Sequence, residues 1–260
     1  MRDFVNYKNI QVAFSSQGKG SAIVLIHGFL ENNTMWKEII PVLAKKNRVI
    51  TIDLLGHGET DCLGYVHTME EQAKMIKVVL NHLKLRKHIL IGHSMGGYIA
   101  LAFANLFPNS IKGLCLMNST YKNDDNERKT LRSRAIKVVE NNYKNIVKIS
   151  FTNLFSEDSR TAFKSEIKDA LAEALKTPVQ GYIAAQEGMK IRENHTNLFK
   201  NATFKKAIIL GEKDWIIDSE KALLFAEKND ITAIILPEGH MSHIENRKGL
   251  IEALVEFVKK

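Results

Sequence analysis

Disulfide chemistry, membrane spanning and nucleic-acid binding are each disfavoured by what this chain has little of. Cys62 and Cys115 are the only cysteines among 260 residues, so no disulfide framework is implied and a reducing, cytoplasmic setting is expected. No apolar run approaches the ~20 residues needed to cross a bilayer. The opening residues Met1-Arg2-Asp3-Phe4 are followed by no signal-peptide apolar segment. Acidic residues are outnumbered, 29 to 37, which leaves a net charge of +8. A basic balance can signal nucleic acid, but the lysines are scattered in pairs such as Lys45-Lys46 and Lys205-Lys206, with no basic stripe interleaved with aromatics. They read as a solvated surface, and neither nucleic acid nor membrane insertion is expected. Oligomeric state is left open.

Hydrophobic residues at 45% and charged residues at 25% are ordinary for a soluble globular chain. The length suits one large α/β domain, or one carrying an insertion. Phe4 to Phe14 alternates loosely and is followed by Gly18 and Gly20, the pattern of antiparallel edge strands. Ser21–Ile26, Arg48–Asp53, Ile89–Ile91, Ile111–Met117, Ala207–Leu210 and Ala233–Leu236 are short apolar runs suited to strands buried on both faces. Helical patterns separate them: around Trp36–Ala44, at Thr68–Leu83 with Thr68 and Glu71 as a capping box, after Ser94, at Ser219–Lys228 and at Asn246–Lys259. The alternation predicts a mostly parallel sheet with helices on both faces. Between Asn118 and Lys205 no strand run occurs, and polar, helix-period sequence fills the gap. We read an inserted helical cap at 120–201 within a core made of 1–119 and 202–260.

The stretch Gly92-His93-Ser94-Met95-Gly96 is G-x-S-x-G, with a strand pattern before it and a helix pattern after it. That context makes it a nucleophile elbow: the serine stands on a strained turn, and the flanking glycines let strand and helix approach. A serine needs a base, the base needs an orienting carboxylate, and the oxyanion needs two donors. In an open parallel sheet these belong on loops at the carboxyl ends of strands. The N–H groups of Met95, at the helix start, and of Phe29, after the strand Ser21–Ile26, are the candidate donors. Asp214 follows the run Ala207–Leu210 and is the candidate acid; Asn118, where another acid could stand, is not one. His240 follows Gly239 after the last strand run and is the candidate base in preference to His243. His57 and His93 suit loop hydrogen bonding and packing near the site, while His67, His82, His88 and His195 read as surface residues.

His27-Gly28-Phe29, Asp53 through Gly58, Gly92 through Gly97, Gly211 with Asp214, and Gly239-His240 together resemble the α/β-hydrolase superfamily over nearly the whole chain outside the cap. The resemblance implies an eight-stranded sheet with the second strand antiparallel, a helical cap after the sixth strand, a Ser94–His240–Asp214 triad, and no metal or cofactor. Ser94 departs from the aspartate of epoxide hydrolases and dehalogenases. Tyr98 replaces the arginine of the menaquinone-pathway lyases, and His93 the asparagine of carbon–carbon bond hydrolases. The group that it resembles most is carboxylesterase-like. The expected activity is hydrolysis of a small to medium acyl ester through an acyl-enzyme. Phe29, Leu30, Met95, Phe151 and Phe155 are the expected substrate contacts, and Ile146 and Leu154 are further candidates for the apolar roof. Rival readings are a receptor-like member with residual hydrolysis, and a lyase or acyltransferase of the same fold.

Overall fold

Every residue of the strand that leads into the elbow is buried, which is what its unbroken apolar run requires. In a computed structural model that describes residues 2–259, with Met1 and Lys260 outside it, eight strands form one sheet. They are β1 (Arg2–Tyr7), β2 (Ile10–Gln17), β3 (Ser21–Ile26), β4 (Asn47–Ile52), β5 (His88–His93), β6 (Ile111–Met117), β7 (Lys205–Gly211) and β8 (Thr232–Leu236). The order across the sheet is β1-β2-β4-β3-β5-β6-β7-β8. β2 runs antiparallel to both neighbours, and the remaining pairs are parallel.

The helices are α1 (Ile40–Leu43), α2 (Met69–His82), α3 (Met95–Leu106), α4 (Asn126–Thr152), α5 (Glu157–Ala162), α6 (Lys164–Ala174), α7 (Val179–Lys190), α8 (Thr196–Asn201), α9 (Ser219–Lys228), α10 (Ser242–Glu245) and α11 (Arg247–Val258). Strand alternation sends side chains to two cores. Val24 and Ile26 join α2 and α3 on one face, while Ile23 and Leu25 join Trp36 and Leu250 on the other. The helix expected at Trp36–Ala44 is shorter: Asn32 caps a 3-10 turn over Asn33–Trp36 through the Thr34 N–H, and α1 starts only beside Pro41. The capping box is one-sided. Thr68 accepts from the Glu71 N–H at 3.0 Å, but the Glu71 carboxylate reaches Tyr7 and Lys8 instead of the cap.

Between β6 and β7 lie α4 to α8. Val139, Val147, Phe151, Phe155 and Tyr182 form their own cluster, joined by Leu30, Met241 and Ile244 from loops at the sheet's end. Ala185, Met189 and Phe199 instead enter the main core, so the insert is packed into the sheet's helical layer as well as over its end. α4 breaks at Asn142, whose φ of −147° and ψ of 44° are not helical.

Three histidines depart from the surface reading. His67, His88 and His195 are buried, whereas His82 is exposed. His88 is the first residue of β5, one position before the apolar run, and packs edge-on against Phe103 at 5.3 Å. Neither of its ring nitrogens has a hydrogen-bond partner among the described residues.

Candidate active site

Ser94 sits between β5 and α3 with φ 50° and ψ −116°, a strained backbone for a non-glycine residue. Its N–H is held by the Met117 carbonyl at 3.0 Å, and its carbonyl accepts from the Ser119 hydroxyl at 2.7 Å. Strand and helix close on each other so tightly that a Cβ on Gly92 would strike the Gly96 carbonyl, and one on Gly96 the Ile26 carbonyl. Met95 opens α3, so its N–H has no partner within the helix.

The loop after β8 brings His240 Nε2 to 3.0 Å from Ser94 Oγ, and His240 Nδ1 lies 2.7 Å from Asp214 Oδ2. Asp214 comes from the loop after β7, where its Oδ1 accepts from the Ile216 N–H at 2.9 Å and the Ile217 N–H at 3.2 Å. Burial pushes the Asp214 carboxyl up, but the charge and hydrogen bond of His240, with Asn118 and the Ile216 N–H, outweigh it and hold the group below the usual carboxylate range. With an acceptor at Nδ1 and a hydroxyl at Nε2, the imidazole can carry its proton at Nδ1 and receive one at Nε2.

Asn118 is a partner that sequence reasoning passes over. Its Nδ2 donates to Asp214 Oδ2 and to the Gly239 carbonyl, each at 3.2 Å, and its Oδ1 accepts from Ser242 Oγ at 2.8 Å. One side chain thus ties the acid to the histidine loop. The only signal in sequence is its place after β6.

Glu31 is the second omission. Its Oε2 accepts from the Gly28 N–H at 2.6 Å and lies 2.7 Å from His93 Nδ1, while His93 Nε2 donates to the His240 carbonyl at 3.1 Å. Both His93 nitrogens face acceptors, so the ring is held as an imidazolium against the Glu31 carboxylate. Burial lowers the His93 pKa, yet Glu31 outweighs it and raises it; burial raises the Glu31 pKa, yet His93, His243 and His27 bring it to about 2. His243 is in α10, buried, with Nε2 3.6 Å from Glu31 Oε1, and burial lowers it to about 4. Ligand atoms of Glu31, His93 and His243, all three buried, lie within 4.8 Å of one another. His27 donates from Nδ1 to the Gly28 carbonyl at 2.8 Å and accepts from the Leu54 N–H at 3.0 Å, which anchors the loop before Phe29. His57 bonds the Leu55 carbonyl at 3.0 Å, and burial first, then the charge of His27, lower it to about 3.

A cavity of about 360 Å³ opens above Ser94 and His240. Phe29 and Leu30 line it, as does Leu154 from the insert. Met95 is fully buried and does not line it. Phe151 and Phe155 do not line it either: both are packed into the insert's own core, and Phe151 faces a neighbouring cavity beside Met241. Ile146 also packs against that core. The walls come instead from residues with no motif around them, among them Leu131, Arg132, Ile149, Tyr182 and Trp215.

A component of an acetoin-cleaving system from Pseudomonas putida, a dihydrolipoyllysine-residue acetyltransferase, is 28% identical over 249 residues, covering 93% of this chain and 64% of that protein. This chain spans less than two thirds of that and the next curated relative it matches, 64% and 31% of their lengths. A 2-hydroxy-6-oxo-6-(2'-aminophenyl)hexa-2,4-dienoic acid hydrolase from Metapseudomonas resinovorans is 24% identical over 279 residues, with 99% of this chain and 90% of that protein covered. Among solved structures, a malate-bound thermophilic esterase from Thermogutta terrifontis superposes with a TM-score of 0.93 at 29% identity, over 99% of this chain and 98% of that one. The alpha/beta hydrolase fold family matches residues 21–247. Sheet order, inserted helices and this match agree, and the chain belongs to the α/β-hydrolase fold family.

Proposed function

We propose that the protein is a serine hydrolase that cleaves small to medium carboxylic esters. The observation that carries this reading is the unbroken line of hydrogen bonds from Ser94 Oγ to His240 Nε2, 3.0 Å, and from His240 Nδ1 to Asp214 Oδ2, 2.7 Å. Ser94 Oγ attacks the ester carbonyl carbon while His240 Nε2 takes its proton. Asp214 fixes the imidazole tautomer and balances the imidazolium. The N–H groups of Phe29 and Met95 hold the oxyanion, assisted by the N-terminal end of α3. Collapse breaks the bond to the leaving oxygen, which receives the proton from His240, and leaves an acyl-serine. Water, deprotonated by the same histidine, then releases the acid. No metal or cofactor enters this scheme. The cap at 120–201 sets substrate length through Leu131, Ile149 and Leu154, and the Thermogutta terrifontis esterase supports an ester as substrate.

The test is Ser94→Ala. The variant is expected to fold normally, to lose turnover of nitrophenyl esters by at least a thousandfold, and to escape labelling by a fluorophosphonate that marks the parent protein. A clean variant that keeps a tenth of the parent rate overturns Ser94 as nucleophile.

A further inference from the structure

The cavity above Ser94 is apolar over most of its wall, yet α4 puts two arginines into it, Arg128 and Arg132. The carboxylates around it are already engaged. Glu31 faces His93, and Asp214 faces His240. Asp124, buried behind the wall, is shared: one oxygen takes Arg132 Nε at 2.5 Å and the other takes Arg192 Nη1 at 2.6 Å. Arg192 in turn lies over the Tyr98 ring, 4.0 Å from its centre, and Tyr98 also lines the cavity. Three guanidinium groups therefore stand against one carboxylate. Arg128 makes no ion pair among the described residues. Its Nη2 donates to the Ile216 carbonyl at 3.0 Å, which pins it between α4 and the loop that carries Asp214. Asp125, one turn earlier, takes the Arg128 backbone N–H at 2.8 Å and not its guanidinium.

A surplus of fixed positive charge in a largely apolar, partly closed site favours a ligand that brings an anionic group on an otherwise apolar body. A guanidinium fork matches the two oxygens of a carboxylate. From this charge balance we propose that the substrate is an ester carrying a free carboxylate, held by Arg128 with Arg132 behind it, while its apolar part lies along Leu131, Ile149 and Trp215. The proposal rests on the esterase reading above and specifies the substrate class of that site.

Two ester pairs test it. Monomethyl adipate against dimethyl adipate places the charge on the acyl side; hexanoyloxyacetate against ethyl hexanoate places it on the leaving side. In at least one pair the charged ester is expected to have the higher kcat/KM by tenfold or more, mostly through KM, with the advantage shrinking as salt rises. Arg128→Gln is expected to cut that ratio at least tenfold, and Arg128→Lys to restore part of it. A ratio below threefold in both pairs, or one that Arg128→Gln leaves within threefold of the parent value, overturns the proposal. Titration of monomethyl adipate and of hexanoyloxyacetate into the Ser94→Ala variant gives a readout independent of turnover: binding of either one that Arg128→Gln weakens tenfold supports the anion site, and binding of both indifferent to Arg128 refutes it. If no ester in either pair is turned over, the esterase reading itself fails, and the titration still decides the anion site.

Discussion

Asn118→Asp changes one atom group at the point where the candidate acid meets the histidine loop. The amide donates to Asp214 Oδ2 and to the Gly239 carbonyl, each at 3.2 Å. An ionised carboxylate in its place would face both with acceptors only. Two charges about 4 Å apart at an effective dielectric near 20 repel by about 4 kcal/mol, or roughly 3 pKa units. A carboxyl that titrates near 4 when unfolded would therefore keep its proton in the fold up to a pH of roughly 7. A raised carboxyl pKa means that the folded state binds the extra proton, so stability falls as pH rises from the unfolded value toward the folded one. Relative to the parent, Asn118→Asp should be less stable by about 2 kcal/mol at pH 5.5, and by about 4 kcal/mol near pH 7 and above. At about 2–4 °C per kcal/mol, the melting-temperature gap should widen by several degrees over that range. Asn118→Ala also loses the donors but adds no titrating group, so its gap should stay flat with pH. Urea unfolding of all three proteins from pH 5.5 to 8 is the assay. Parallel curves for the two variants would refute the contact geometry assigned to Asn118. Below neutral pH the protonated carboxyl of the Asn118→Asp variant can donate to Asp214 as the amide does, and ester hydrolysis should survive within about tenfold.

His240→Ala should reduce ester turnover about as far as Ser94→Ala does, since members of a triad act as a unit. His243→Ala, which removes a buried ring 3.6 Å from Glu31, should cost tenfold or less; the reverse ranking in equally folded variants would exchange their roles. Phe199→Ala, in an insert helix that reaches the main core, should destabilise the whole fold by about 3–5 kcal/mol in a single unfolding transition. A separate early transition of the insert would show instead that it melts as an independent unit.

The parts of the site that are legible in sequence are those announced by local pattern. Ser94 stands in a five-residue motif with a strand before it and a helix after it, and Asp214 and His240 each follow a strand. The mostly parallel sheet follows from the same alternation. What stays hidden depends on partners far along the chain: Glu31 meets His93 62 residues away, and Asn118 meets Asp214 96 residues away. No periodicity encodes such contacts. Phe151 and Phe155 look like roof residues because an apolar side chain in an insert can face its own core or a cavity equally well, and here packing claims both. His88 reads as a surface residue because the apolar run starts at Ile89, although the strand's pairing begins one residue earlier.

The interior histidines have a consequence for where this chain can stay folded at all. Burial is the leading cause that brings His57 to about 3 and His67, His88 and His243 to about 4. An imidazole with a lowered pKa takes up its proton only when the chain opens, so folding stability drains away as pH falls below the unfolded value near 6.5. At pH 5 each of the four removes about 2 kcal/mol, a loss that His93, whose pKa Glu31 raises, works against. Most surface carboxylates are still ionised there. Mild acid therefore weakens this protein from within, before its surface carboxylates lose their charge.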